Sequence, residues 1–418
     1  MQILMSYGRE GVVIEAPDGA TVLRTKPVPW VPDEPASIRR ALTHPIHSLP
    51  LSKMVRPGMR VVVTHSDITR ATPNDRLLPV ILHELEANSI RRDDITLLNA
   101  LGTHRKQTAQ ELRHMLGDWV VDNYRCEQHD ATHDHGLVSM GTTSFGHPIR
   151  LNRTLMEADV KILTGFIEPH FFAGFSGGPK AVLPALAGAE SVFTNHSYPM
   201  ISDPRATFNV THSNPIWEEM KEMASQVENT FLVNVTLNQS GQITGVFAGD
   251  VIEAHSVGCD FLRQSSLVTI PEPFDVVVTS NSGYPLDQNL YQCVKGLAIA
   301  NRAVRQGGAI LMVARCEDGL PEHGAYATLL QKAGNPENIL KMVSQPGFQA
   351  QDAWQVLIQA NIQQHAEVHV FSEGLSDAQI HAALMQPCHD ITATIQELTQ
   401  RLGKRVGILP EGPLVIIN

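Results

Sequence analysis

Cysteine is scarce in this 418-residue chain. The five present, Cys126, Cys259, Cys293, Cys316 and Cys388, are odd in number, widely scattered and never spaced as C-x-x-C, so they read as reduced thiols rather than a disulfide framework. Long apolar runs are missing as well: none approaches the roughly 20 residues that cross a bilayer, which excludes membrane insertion. The opening stretch, MQILMSYGREGVVIEAPDG, has no basic segment leading into an apolar one. No secretory signal is therefore expected, and the expected compartment is the cytoplasm. Positive charge is also short. With a formal net charge of -11 and no Lys/Arg cluster of useful length, the chain lacks the basic surface that a nucleic-acid backbone requires. Any anionic ligand must be held by cations placed locally.

What is present is the composition of a soluble globular protein, 43% hydrophobic and 18% charged, in a chain long enough to divide into two domains. From about residue 58 onward, strand-like and helix-like stretches alternate. MRVVVTHSD reads as a buried strand, TPNDRLLPVILHELEANSI as a helix, DITLLNALGTHR as a strand running into a loop, and ADVKILTGF as another strand. Thr108 with Glu111 has the spacing of a helix capping box. Around Asn238 to Gly241 the pattern changes to a hairpin, followed by a helix over about 251–265. PEPFD, Pro271 to Asp275, reads as a linker. Beyond it, DVVVTSNSGYPLDQNLYQCVKGLAIANRAVRQGGAILMVARCEDG predicts strand, loop, helix, Gly-Gly turn and strand, a βαβ unit. The expected architecture is α/β, with domains over 1–270 and 271–418. Each is expected to be a Rossmann-like layered sheet, parallel or mixed, with flanking helices, and the active site is expected in the interdomain cleft.

Three predicted strand ends carry HSDITR, GTHR and EPHFFAGFSGGPK. In the last, Gly174, Gly177 and Gly178 would let backbone N–H groups approach a flat anion, and a helix starting near Ala181 would add its positive end. Lys180 stands at that junction; an ordinary tight turn with a solvated lysine is the plainer reading. A Walker A loop is excluded because Pro179 precedes and Ala181 follows Lys180, and G-x-G-x-x-G is absent here. Nineteen histidines make any single one weak evidence. His104, His170 and His196 together, on loops at or beyond strand ends, become candidates for acid/base work or metal ligation. HDATHDHG, His129 to Gly136, has a metal-binding composition but reads as a polar loop between elements. Tyr291, Gln292 and Lys295 share one side of a predicted helix, where Lys295 could hold a carboxylate and Gln292 hydrogen-bond it. Arg70 offers a planar fork to a carboxylate or phosphate, and Asp67 could take ribose hydroxyls.

In DITRATPN, GTHR, EPHFFAGFSGGPKAVLP, NHSYP, YQCVKG and ILPEGP the chain resembles, nearly end to end and in order, the nickel-pincer lactate racemase family of 2-hydroxyacid racemases and epimerases. The resemblance implies a pyridinium mononucleotide, joined to a lysine through a thioamide, whose two sulfurs and ring C4 grip nickel. Lys180 matches that lysine and His196 the histidine that completes the nickel site. His104 and His170 match the family's paired catalytic bases. Asp67, Thr69, Ser176, Gly177 and Gly178 fall at cofactor contacts, and Arg70, Tyr291, Gln292 and Lys295 at substrate contacts. A small 2-hydroxy acid and the enzymes that build the cofactor are the implied partners. Two other readings stay open: a metal-dependent hydrolase using the histidine-rich loop, and a non-catalytic protein that binds a hydroxy acid or nucleotide. His323, Trp354 and Tyr284 lie on segments that could reach the pocket, with packing or surface positions as the plainer reading of each.

Overall fold

The computed structural model describes residues 1–321 and 324–418. Two six-stranded sheets organise the described chain. The first runs Ile243–Gly249, Thr230–Leu237, Val160–Phe166, Val61–Ser66, Ile95–Ala100, Arg125–Gln128 in spatial order. Every neighbouring pair is parallel except the first, which is the hairpin around Asn238. Parallel strands are covered by helices on both faces, which is why VVVTHS and VKILTGF are buried almost throughout, polar positions included, instead of alternating. The Asn74–Ala87 helix buries Leu77, Leu78, Ile81, Leu82 and Leu85 on the stripe that i, i+3, i+4 spacing creates. At the next helix, Ala109–Leu116, Thr108 and Glu111 close the capping box read from the sequence.

The second sheet is wholly parallel, in the order Gln386–Pro387, Ala366–Phe371, Val304–Val313, Phe274–Ser280, Val406–Leu409, Thr21–Val22. Its edge strand comes from the start of the chain, and Ile3, Met5, Tyr7 and Ile14 pack into the core of this sheet with Val276, Leu311 and Ile408. A single apolar cluster runs across both halves, joining Leu163 and Leu232 to Leu297 and Ile310. The Gly307-Gly308 pair forms no turn between helix and strand: the helix ends at Ala303 and the strand begins at Val304, with Gly307 inside it at φ +69°.

One local expectation fails. No α-helix starts near Ala181; Gly178–Ala181 is a single 3₁₀ turn, and the next helix begins at Ala189. Pro184 is the reason. It has no N–H to bond the Lys180 carbonyl four residues back, and it disfavours helical backbone at Leu183.

Candidate active site

Strand order in the first sheet reverses between Val61–Ser66 and Val160–Phe166, because the chain adds strands on one side of the first and later on the other. Loops diverge at such a point and leave a crevice beyond the carboxyl ends of the strands. The loops there are the ones carrying Asp67 and Arg70, His104, and His170 through Lys180. The Leu290–Ala303 helix of the second sheet closes the crevice from above, capped by Asn289, whose Oδ1 accepts from Gln292 N. Asp67, Arg70, His104, His170, Ser176, Gly177, Lys180, His196, Tyr291, Gln292 and Lys295 thereby line one cavity of about 140 Å³. Thr69 lines an adjoining recess instead, and Gly178 lies behind the cavity wall.

Asp67 is buried, and its Oδ2 lies 2.5 Å from His104 Nδ1, while its Oδ1 accepts from the Thr69 hydroxyl at 2.7 Å. Burial alone would raise this carboxyl, but His104 and Arg70 beside it hold it well below the usual carboxylate range. An ionised Asp67 places the His104 proton on Nδ1 and leaves Nε2 as an acceptor. His170 is packed edge-on against the Phe172 ring, 4.5 Å between centroids. Its Nδ1 accepts from Ala173 N at 3.3 Å, so the neutral ring carries its proton on Nε2. Burial, followed by the charges of Lys180, Lys295 and Arg70, pushes His170 well below its ordinary value.

Three cations therefore face one cavity. Lys180 keeps some accessible surface as a cavity wall, but burial, then Arg70 and Lys295, pushes its ammonium down to about 7, with Glu168 opposing. Lys295 is brought to about 7 by burial and Arg70, and its Nζ has no hydrogen-bond partner. Confined like charges of this kind need an anion to arrive, and a lysine near 7 is half neutral and nucleophilic near neutral pH. His196, buried and neutral, leaves its Nδ1 without a partner and packs edge-on to Trp354, 5.1 Å between ring centroids.

A family model for the lactate racemase N-terminal domain matches residues 7–209, and one for the lactate racemase C-terminal domain matches residues 270–417. The chain belongs to the lactate racemase family. It is 31% identical to the lactate racemase of Thermoanaerobacterium thermosaccharolyticum over 100% of this chain and 99% of that protein. It is 35% identical to the lactate racemase of Lactiplantibacillus plantarum over 92% of this chain and 91% of that one. Its fold superposes on the structure of the Thermoanaerobacterium lactate racemase apoprotein with a TM-score of 0.92 over the whole of both chains. A Thermotoga maritima protein, 17% identical over 92% of this chain and 98% of that one, shares the fold at a TM-score of 0.71. Membership at this identity and coverage makes the protein an isomerase, a racemase by class.

Several parts of this lactate racemase-family site were not legible in its motifs. The Ser176–Gly178 turn is pinned from behind: Asn234 Oδ1 accepts from Gly178 N at 2.7 Å and His255 Nε2 donates to Ser176 O at 2.9 Å. Ser176 N donates to Glu168 O as well. The N–H groups of Ser176 and Gly178 are thus committed inside the fold. A Cβ on Gly177 would fall 2.5 Å from Asn234 Oδ1, and one on Gly178 2.4 Å from the His255 ring, so the glycines serve this close packing. Asp67 makes its contacts with His104 and Thr69. Trp354 lines the cavity and donates to the Tyr291 hydroxyl at 3.2 Å, a role that neither surface nor plain packing describes. Tyr284 lines a separate cavity, and His323 lies outside the described residues. In the histidine-rich loop, His129 is buried between Ala187 O and the Asn152 amide, and among the described residues no three His, Cys, Asp or Glu side chains converge as a metal cage.

Proposed function

We propose that this racemase inverts C2 of a small 2-hydroxy carboxylate, using a nickel-pincer nucleotide tethered to Lys180. The observation that carries the reading is the Lys180 amine, brought to about 7 inside a cavity that also holds His104, His170 and His196. The residues fit the group. A half-neutral lysine is the nucleophile that a covalent tether requires, and His196 offers an unprotonated imidazole to a metal whose other donors must come from outside this chain's described acid, thiol and imidazole groups. Arg70 and Lys295 offer charge-assisted contacts to the substrate carboxylate, and Gln292 a neutral one. When bound, the group supplies a reversible two-electron acceptor for the C2 hydrogen, so that C2 becomes planar and loses its handedness.

The chain's own residues then handle the proton. His104, with Nε2 free, takes the hydroxyl proton of one enantiomer, and the ionised Asp67 stabilises the imidazolium that forms. His170 serves the other enantiomer. Burial, and then the surrounding cations, keep it neutral in the substrate-free protein; the arriving carboxylate offsets those charges, so it takes up from solvent the proton that it delivers to oxygen on the opposite face. Two bases are needed because the enantiomers present their hydroxyls differently. The apolar wall of Phe171, Phe172 and Trp354 limits water around the planar species.

The test is protein made together with the cofactor-building enzymes, with intact mass, nickel content and an optical assay read on the same sample. A mass adduct on Lys180, nickel in proportion to it, and inversion lost in Lys180→Ala are expected. Full activity in Lys180→Ala would refute the tether.

A further inference from the structure

A larger cavity, of about 670 Å³, lies beyond the carboxyl ends of both sheets, between the hairpin turn around Asn238 and the loop over 282–286. Among the described residues it shares only Phe166 with the cavity that holds Lys180. An extended segment over 23–31 crosses from one sheet to the other along its mouth. Leu23 N donates to Ile408 O, Lys26 N to Ser265 O and Val31 N to Ile243 O, each at 2.8 Å, and these bonds tie the segment down.

Glu168 lines this space and is only 3% exposed. Ser176 occupies both of its backbone polar groups: the Ser176 hydroxyl accepts from Glu168 N at 3.0 Å, and Ser176 N donates to Glu168 O at 2.9 Å. The carboxylate, by contrast, has no hydrogen-bond or ion-pair partner among the described residues, and neither of its oxygens is sealed off by protein. Glu168 borders this cavity and not the first, so those oxygens open into it. A carboxylate so placed takes its donors from whatever fills the cavity.

Charge selects the donor. Lys180 and Lys295 both lie close enough to feel the Glu168 charge, so a third ammonium would meet repulsion, whereas neutral hydroxyls meet none. Two carboxylate oxygens match the vicinal diol of a ribose. At the mouth the sign reverses. Lys26 is exposed and forms no ion pair among the described residues; Arg24 stands there as well, offset in part by Glu411. Trp30 lines the same mouth and is 56% exposed, a flat apolar surface for a ring to cover. The volume falls within the roughly 300–1,000 Å³ of small-molecule sites.

We propose that this cavity is a separate binding site for a nucleoside monophosphate, whose ribose diol donates to Glu168, whose phosphate meets Lys26 and whose base lies against Trp30. No residue of the racemase site is needed for it.

The probe is AMP, titrated calorimetrically into the full-length protein beside 2′,3′-dideoxy-AMP, ribose 5-phosphate and inorganic phosphate. AMP should saturate below about 1 mM and bind on the order of tenfold more tightly than each of the other three. Lys26→Glu should weaken AMP by about tenfold, and Glu168→Gln should bring the ratio of AMP to its dideoxy form toward one. Arg70→Ala, in the first cavity, should leave AMP affinity unchanged. Absence of saturation, any of the three fragments equal to AMP, or binding lost in Arg70→Ala but kept in Lys26→Glu would overturn the proposal. Should Glu168→Gln not fold, AMP against its dideoxy form on the wild-type protein decides the same point.

Discussion

Asp67 and His104 form a carboxylate–imidazole pair, Oδ2 to Nδ1 at 2.5 Å, although 37 positions separate them and they sit on the ends of two neighbouring strands. The pair fixes which ring nitrogen is available to substrate. Replacing the carboxylate by an amide lets the ring turn over or change tautomer and removes the charge that stabilises the imidazolium. Asp67→Asn should therefore lower kcat by ~10²–10⁴-fold, the range a positioned base contributes, with a smaller change in KM. Initial rates of inversion on fully nickel-loaded protein check it, and a variant within threefold of the parent would contradict the pairing's role.

Lys180 should react as an amine of pKa near 7. Dilute acetic anhydride applied to the cofactor-free protein across a pH series, read by peptide mass spectrometry, should modify Lys180 half-maximally near pH 7, where surface lysines, with an ordinary value near 10.4, remain largely protected. Lys180 labelling in step with the surface lysines would contradict the effect of burial and of Arg70 and Lys295.

Lys295 should reduce the stability of the cofactor-free protein, because its amine is buried beside other cations without a partner. Lys295→Met should raise Tm by roughly 1–4 °C in an anion-poor buffer while abolishing inversion. The pH dependence follows from the direction of the shift. The folded-state value, about 7, lies below the ordinary 10.5, so between those values the unfolded chain holds a proton that the folded one has released. Wild-type stability consequently rises with pH through that window, and the advantage of Lys295→Met shrinks from pH 7 toward pH 10.5. Calorimetry of both proteins at pH 7 and 9 decides; an advantage that grows with pH would contradict it.

Local signals account for what the sequence disclosed of the fold. VVVTHS and VKILTGF place apolar residues at successive positions because both faces of a parallel strand are covered, and Thr108 with Glu111 is a signal contained in four residues. The cavity residues were legible for a related reason, since loops beyond strand ends gather where strand order reverses. What escaped depends on long-range pairing. Thr21–Val22 is too short to carry a pattern, and only its partner Val406–Leu409 makes it a strand. Asn234 and His255 act on the glycine turn from 56 and 79 positions away, and nothing near either residue announces it. The expected helix near Ala181 failed at one imino acid, Pro184.

Gly178→Ala should show how tightly that turn is held. Its φ of +54° disfavours any side chain, and the added Cβ would meet the His255 ring at 2.4 Å. A loss of at least ~2 kcal/mol in unfolding free energy is expected, measured by urea titration, with covalent loading of Lys180 impaired as well. A change below ~0.5 kcal/mol would mean that the backbone relaxes freely there.

The central claim is that the C2 hydrogen leaves and returns with its two electrons while the histidines carry only the hydroxyl proton. A C2-deuterated 2-hydroxy acid, inverted by the purified holoenzyme in ordinary water, tests it most directly by mass spectrometry of the product enantiomer. The account predicts that deuterium stays on C2 through inversion. Loss of the label to solvent at the rate of inversion would mean that C2 is deprotonated instead, and would contradict it.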